Sequence, residues 1–236
     1  MNWTTYWANQ PKKSMTKHLE YTQWLQEKNL TPSTIRVYLD TLGRFKHELT
    51  TQGVKQHFLT NLKNYAPTSL KSQQNALNSY LKFKKLKVEW EKIAHLIPKV
   101  QRKFFDTLTE NELARLKQTK VEKNPAIHSR NNLLLDFLFY SGVRINELVN
   151  LKHSDWQTNQ LKVHGKGNKV RFIFLPDFLI KHIKPNKEDY LFTNTRGNPI
   201  KAEYIRWLLK ERTQQANIPK NITPHTFRRS FATLLY

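Results

Sequence analysis

Residues 133–151 read LLLDFLFYSGVRINELVNL, and this stretch decides the fold class of the second half of the chain. Residues 133–140 are almost all apolar, which predicts a buried helix. Gly142 then interrupts the helix, because glycine readily adopts the left-handed conformation in which many helices end. Arg144 follows the interruption and is expected at the start of a further helix that runs through Leu151.

A short β-hairpin is predicted after this stretch. Two β-type runs, Gln160–His164 and Val170–Phe174, are separated by the sequence GKGNK at residues 165–169. Gly and Asn favour the positive backbone angles of hairpin turns. Helices resume from Lys201 to Ala216 and again from Thr223. The second half is therefore expected to be mainly helical with a small β-sheet.

The amino-terminal half shows only helical patterns, over residues 14–96. Thr31 is placed to cap the second helix, with Pro32 at the first helical position. Gly53 is expected to start the third helix, and Pro67 lies at the start of the fourth. A helical first domain is therefore predicted.

The domain boundaries follow from these patterns. Residues 97–106 form a basic, proline-containing stretch with weak periodicity, which is typical of a linker between domains. Thr109 and Glu112 then match a capping box at the start of a helix. We predict a helical domain over residues 1–96, this linker, and an α+β domain over residues 107–236.

The charge of the chain points to a polyanionic partner. It has 40 Lys and Arg against 18 Asp and Glu, which gives a formal net charge of +22 over 236 residues. The excess is +10 in residues 1–100 and +12 in the remainder, so it is not confined to a tail. Two folded regions that are both this basic favour nucleic acid as the partner.

Other classes of protein are excluded by composition. Without cysteine there is no disulfide, thiolate metal site or cysteine nucleophile, which favours an intracellular protein. The polar amino terminus lacks the apolar core of a signal peptide, and no apolar run approaches the roughly 20 residues of a membrane span. We therefore expect a soluble, cytoplasmic protein that does not bind membranes.

Four basic side chains of the second half form a set that suits phosphoryl transfer: Arg144, Lys166, His225 and Arg228. Guanidinium groups hold the non-bridging oxygens of a phosphodiester, and an ammonium or imidazole group can protonate the leaving oxygen. No metal or cofactor is predicted, because the cations of the site are side chains and no metal-ligand spacing of acids and histidines is visible.

The sequence around these residues resembles the motifs of the tyrosine recombinase, or phage integrase, family. Residues 141–148 match the family phrase T-G-[LV]-R-x-[SN]-E-L, and residues 165–169 match G-K-G-[NR]-K on a β-hairpin. Residues 224–233 match P-H-x-[LF]-R-x-[ST]-F-A-T, and the helix around residues 30–38 is similar to the family's amino-terminal domain. The resemblance, which is Xer-like, covers residues 14–236.

The resemblance implies a fold and a set of catalytic roles. It implies a SAM-like, helical core-binding domain followed by an α+β catalytic domain. Arg144 and Arg228 would hold the scissile phosphate, Lys166 would protonate the leaving 5′ oxygen with Lys169 as the fallback, and His225 would assist proton transfer. Double-stranded DNA would be the substrate, bound as in a clamp, and further copies of the chain would join in a tetrameric synapse.

DNA contacts are expected on both domains. The helix from Ala66 to Val88 contains several lysines and no acid, which favours a phosphate-facing surface, with a merely solvated face as the alternative. Glu147 is expected to support the Arg144 helix. The DNA-binding candidates are Arg36, Lys71, Lys82, Lys84, Lys85, Lys169 and Arg171.

The chain departs from the family pattern after Arg228. In the family a further His or Trp and the nucleophilic Tyr lie a few tens of residues beyond this motif. We therefore expect a truncated protein or a fragment, in which Tyr236 is not the nucleophile. The main alternative is a relic that occupies recombination sites without cutting them, and a basic nucleic-acid-binding module of another fold is a third. The sequence does not choose among integration, excision and chromosome-dimer resolution.

Overall fold

A computed structural model describes residues 18–99, 105–157, 160–165, 169–183 and 189–234. The chain forms two compact units, Met1–Arg102 and Lys103–Tyr236. This division falls inside the predicted linker, residues 97–106, of which 100–104 lie outside the described part.

The described part of the first unit is built from helices. They are α1 (Leu19–Glu27), α2 (Pro32–Arg44), α3 (Thr51–Asn61), α4 (Pro67–Phe83) and the short α5 (Glu91–Ala94). One face of each of the longer helices is buried in a common core, whose largest members are Tyr21, Leu25, Ile35, Phe58, Leu70, Leu77 and Ile93. Burial of these apolar side chains is the main force that holds the unit together.

Threonine caps set where two of these helices begin. The Thr31 hydroxyl accepts a hydrogen bond from the backbone N–H of Thr34 at 3.4 Å, with Pro32 at the first helical position, as predicted. The third helix begins at Thr51, two residues before the expected Gly53, because the Thr50 hydroxyl accepts from the Gly53 N–H at 3.1 Å. The cap residue therefore lies before the glycine.

The described part of the second unit is mainly helical with a small β-sheet, as predicted, and the sheet has three strands. Its helices are α6 (Glu110–Gln118), α7 (Pro125–Ser141), α8 (Ile145–Leu148), α9 (Asp177–Ile180), α10 (Ala202–Gln215) and α11 (Pro224–Leu234), with a 3₁₀ turn at His153–Asp155. The strands are β1 (Trp156–Gln157), β2 (Gln160–His164) and β3 (Val170–Phe174), antiparallel in the order β1-β2-β3. The capping box of Thr109 and Glu112 is formed as predicted.

The register of the hairpin decides which of its side chains face the protein. Leu161 pairs with Ile173 and Val163 pairs with Arg171 on the inner face. Val170, Phe172 and Phe174 lie on the opposite, exposed face. Because the side chains of a strand alternate, Arg171 points to the same side as the buried core residues.

Two predicted helix lengths around Gly142 were wrong. Helix α7 begins at Pro125 rather than Leu133, because the Asn124 side chain accepts from the Ala126 N–H at 2.8 Å and Pro125 fits the first helical position. Helix α8 ends at Leu148 rather than Leu151. Strand β1 and the short helices α5 and α9 were not predicted, since each is too short to show periodicity.

Candidate active site

The turn that carries Arg144 requires glycine. Gly142 ends α7 in the left-handed conformation, with φ of +59°. A Cβ at this position would lie 2.2 Å from Cδ1 of Phe231, a residue of α11. Both the backbone angle and the close approach of α11 therefore exclude a side chain, and Arg144 follows as the residue before α8.

Glu147 is the centre of the site. Its side chain is only 5% exposed, and its Oε2 accepts from the backbone N–H of Arg144 at 2.8 Å, as in a capping box. Oε1 accepts from Nη1 of the Arg144 side chain, also at 2.8 Å. Arg171 donates through both terminal nitrogens of its guanidinium group, from Nη1 to Oε1 at 3.0 Å and from Nη2 to Oε2 at 2.7 Å. Four donors therefore surround one carboxylate.

These contacts fix the charge of the carboxylate. Burial alone raises the pKa of Glu147, but the hydrogen bonds from Arg171 and Arg144 outweigh burial and lower the pKa from 4.5 to about 2. The group is therefore ionised throughout the neutral and mildly acidic range. This agrees with the expectation that Glu147 supports the Arg144 turn.

Arg228 reaches the same place from α11. Its Nη1 donates to the carbonyl oxygen of Gly142, which ties α11 to the Arg144 turn. Partial burial lowers the pKa of Arg228, the nearby cations Arg144 and Arg171 lower it further, and Glu147 raises it. The guanidinium groups are thus close enough to repel one another, and the carboxylate offsets part of this repulsion.

An open cleft lies in front of these cations. It encloses about 340 Å³, and its lining residues are Arg144, Gly165, Lys169, Val170, Arg171 and Arg228. Three guanidinium groups and one ammonium group face it against a single carboxylate, which lies behind them. Such an excess of fixed cations suits an anionic ligand with several oxygens, as a phosphodiester has.

Three of the four predicted catalytic residues lie in the described part of the chain, and two of these line the cleft. Arg144 and Arg228 lie together at the cleft. His225 is exposed at the start of α11, one turn before Arg228, and makes no hydrogen bond to the described residues. Lys166 lies outside the described residues, but the base of its hairpin is described, where the Gly165 N–H donates to the Lys169 carbonyl at 2.7 Å.

The DNA-binding candidates of the first unit lie on its surface. Lys71 and Lys82 are both exposed on α4 and eleven residues apart, which places them on the same side of the helix about three turns from each other. Lys84 and Lys85 are exposed just after this helix, and Lys84 lies over the Phe83 ring at 5.3 Å. Arg36 is exposed on α2, 3.8 Å from Asp40.

The two candidates of the second unit, Lys169 and Arg171, both line the cleft. Only Arg171 contacts the Glu147 carboxylate, a pairing that the sequence analysis missed. Within the described ranges, no three histidine or acidic side chains come together in a way that would hold a metal ion. In the same ranges no helix has the length and apolar character needed to cross a bilayer.

The model of the Phage integrase family matches residues 106–236, which is more than half of the chain and contains the whole cleft. The chain belongs to the phage integrase family. By family it is therefore a site-specific tyrosine recombinase. The resemblance that the three sequence phrases indicated is thus confirmed.

Individual relatives agree with this membership. The tyrosine recombinase XerC of Bacillus licheniformis is 30% identical over 257 residues, which covers 95% of this chain and 83% of XerC. The structure of lambda integrase residues 75–356 bound to DNA superposes with a TM-score of 0.74 at 16% identity, over 94% of this chain and 85% of that one. A lambda integrase tetramer bound to a Holliday junction gives 0.72 at 13% identity, over 96% and 77%. These two likenesses show a shared fold.

Proposed function

We propose that this chain binds duplex DNA at a specific site and breaks and rejoins its strands through a 3′-phosphotyrosyl intermediate, formed in the protein that contains the nucleophilic tyrosine. The observation that supports this is the meeting of three guanidinium groups around one buried carboxylate at an open cleft. Fixed cations stabilise the transition state of phosphoryl transfer more than its ground state, because negative charge on the phosphoryl oxygens increases during attack.

Each cation has a role in the proposed reaction. Arg144 and Arg228 hold the non-bridging oxygens of the scissile phosphate. The tyrosine hydroxyl gives up its proton to solvent, with His225 assisting, as its oxygen forms a bond to phosphorus. The bond from phosphorus to the 5′ oxygen breaks, and Lys166 gives that oxygen a proton. Lys169 is the fallback for this last role, and it lines the cleft.

The second step reverses the first on another strand. A free 5′-hydroxyl attacks the phosphotyrosine, the phosphodiester is restored and the tyrosine takes back a proton, with His225 assisting the proton transfers. One P–O bond forms and one breaks in each step, so no external energy source is needed. The position of His225 one turn before Arg228 on α11 is compatible with this role.

The proposed partners are duplex DNA and further copies of the chain. The tetramer of lambda integrase on a Holliday junction supports the assembly of several copies on DNA. A chain with a net charge of +22 repels its own copies until DNA neutralises it, which favours assembly on DNA over assembly in free solution. A genomic substrate agrees with the predicted cytoplasmic location.

The proposal can be tested with the 236-residue chain by replacing the phosphates of a bound duplex, one at a time, with an uncharged analogue. Bound duplexes are first selected from a random library, and single methylphosphonates are then placed along the selected duplex. Because two guanidinium groups meet at one phosphate, one position per bound protomer should lose about 10–100-fold in affinity, corresponding to roughly 1.4–2.8 kcal/mol. Other backbone positions should lose only a few-fold.

The result separates the candidate functions. A flat scan would contradict a phosphate clamp and with it the recombinase proposal. A single sensitive phosphate combined with strand cleavage there, in a protein that contains the nucleophile, would support the enzyme. The same sensitive phosphate with no cleavage by that protein would favour the alternative, a DNA-binding relic that occupies recombination sites.

Binding to DNA should depend steeply on salt. If about 6–10 phosphates are neutralised, affinity should fall about 10³–10⁵-fold between 50 and 200 mM salt. Replacing Lys71, Lys82 and Lys85 together by glutamine should reduce the slope of log affinity against log salt by about 3, because each removes one phosphate contact. Fluorescence anisotropy with a labelled duplex measures both quantities.

The matched control replaces the same three lysines by arginine, which keeps the charge and should keep the slope. An unchanged slope in the glutamine variant would show that these three lysines are merely solvated and make no phosphate contact.

A further inference from the structure

Arg171 does more than add a positive charge to the cleft. Its side chain is 34% exposed, yet both of its terminal nitrogens are bonded to Glu147, at 3.0 and 2.7 Å. A guanidinium group bonded in this two-pronged way has its plane fixed by the protein, with Nη1 and Nη2 each donating to the carboxylate. Its remaining N–H groups are still available to a DNA phosphate, so the bonds to Glu147 give Arg171 a second role rather than replacing the first.

The carboxylate that it holds is the one that orients Arg144. Each oxygen of Glu147 accepts one bond from Arg171 and one from Arg144, so the two arginines share the group equally. Without Arg171, both remaining donors belong to the Arg144 turn itself. The carboxylate would then be held only by the turn that it supports, and Arg144, whose side chain is 48% exposed, would lose the support that comes from β3.

The same ion pair joins two elements that are far apart in sequence. Arg171 lies on β3 and Glu147 on α8, 24 residues earlier. Gly165, at the base of the hairpin, lies so close that a Cβ there would be 3.4 Å from Nη1 of Arg171 and 3.5 Å from Oε1 of Glu147. The hairpin base therefore packs directly on the ion pair.

We propose that Arg171 is a positioning residue for strand transfer: through Glu147 it fixes the Arg144 guanidinium, and it anchors the base of the hairpin that contains Lys166 to the Arg144 turn. This inference rests on the proposed function, and it assigns to Arg171 a role in addition to the DNA contact expected from the sequence. The Arg144 turn and the base of the hairpin, which both line the cleft, would then be held in place by the Arg171 side chain.

The test is a double-mutant cycle. The measured quantity is the loss of affinity when a methylphosphonate replaces the sensitive phosphate. Arg171→Gln should reduce the methylphosphonate penalty about tenfold, Arg144→Gln should do the same, and the double variant should lose no more than either single variant. The matched comparison is Lys169→Gln. Lys169 is a cation of the same cleft, and no contact between it and Glu147 is observed among the described residues. The effect of Lys169→Gln should add to that of Arg144→Gln, and Arg171 behaving in the same additive way would overturn the inference.

A second readout does not depend on DNA. The Glu147 carboxyl is titrated by ¹³C NMR in the free protein, where it faces Arg144, Arg171 and Arg228, with Lys169 across the cleft. In Arg171→Gln two of the four donors to Glu147 are lost, so the pKa of Glu147 should rise from about 2 towards its ordinary value.

Each result has a consequence. An unchanged titration of Glu147 in Arg171→Gln would overturn the inference, whatever happens on DNA. A flat phosphate scan in the unaltered protein would overturn the proposed function, and the role of Arg171 in strand transfer would fall with it even if Glu147 titrates as expected. Thermal unfolding shows whether Arg171→Gln is folded. If it is not, Arg171→Lys replaces it, because lysine keeps the charge but loses one of the two bonds to Glu147. This variant should show smaller changes of the same kind.

Discussion

Arg228→Lys should lower the rate of strand cleavage about 10²–10³-fold in a form of the protein that cleaves DNA, and Arg144→Lys should do the same. Lysine keeps the positive charge but not the planar fork of donors, and Arg228 already uses one nitrogen of that fork on the Gly142 carbonyl. The three donors of an ammonium group radiate from one nitrogen, so they cannot reproduce the planar fork that spans this carbonyl and the phosphoryl oxygens. Single-turnover cleavage of a nicked duplex measures the loss.

The loss should be confined to the reacting phosphate. Overall DNA affinity at moderate salt should change only a few-fold, because the number of charges is unchanged. The control is Arg206→Lys on α10, where the arginine is exposed and paired with Glu203 at 3.4 Å, away from the cleft lining. Near-normal cleavage by Arg228→Lys, or an equal loss in Arg206→Lys, would remove Arg228 from the proposed clamp.

Local sequence signals predicted much of this site. Caps and turns obey rules that span only a few residues, so the Thr31 cap, the capping box at Thr109 and the break at Gly142 could all be predicted. The hairpin strands were predicted with their observed bounds, because alternation and glycine act over the same short range.

The pairing of Arg171 with Glu147 could not be predicted in this way. No spacing rule relates a strand residue to a helix residue 24 positions earlier. One signal was present: Arg171 alternates with Ile173 on the inner face of β3, where an apolar residue is expected. A charged side chain at such a position needs a partner, and Glu147 is that partner.

The start of α7 was missed for a related reason. Residues 125–132 read PAIHSRNN, which is too polar to suggest a buried helix. Asn131 is nevertheless fully buried, because it donates to Glu122 and to the Tyr204 hydroxyl, the latter at 2.8 Å. Only the tertiary fold supplies these partners, so polarity there indicated a buried network rather than a surface loop.

That network yields the largest expected change in stability. Arg212 of α10 is 0% exposed and donates to both oxygens of Glu122 at 3.0 Å. Its other terminal nitrogen donates to the Asn132 side chain at 2.5 Å, while its Nε has no hydrogen-bond partner among the described residues. Arg212→Met should therefore cost about 3–5 kcal/mol, because Glu122 remains buried without its counter-ion.

The measurement must isolate the second unit. Native-state amide exchange of α10 under increasing urea reports the free energy of unfolding there. The control is Arg206→Met on the same helix, which removes an exposed pair and should change stability by no more than about 0.5 kcal/mol. Removing both charges, in Arg212→Met with Glu122→Leu, should cost less than the sum of the single changes, because no buried charge is left alone.

The pH dependence distinguishes lost charge from lost packing. In the unaltered protein burial raises the pKa of Glu122, but bonds from Asn131, His128 and Arg212 outweigh it and lower the pKa. The ionised carboxylate therefore adds stability above its ordinary pKa of 4.5, and this is lost as pH falls below that value. In Arg212→Met the bonds from Arg212 are lost, so the pKa of Glu122 rises from its lowered value, and protonation relieves the buried charge as the solution is acidified. The difference in unfolding free energy between the two proteins should thus be largest near pH 7 and shrink towards pH 4. A difference that stays constant over this range would mean that Arg212 stabilises the fold by packing alone.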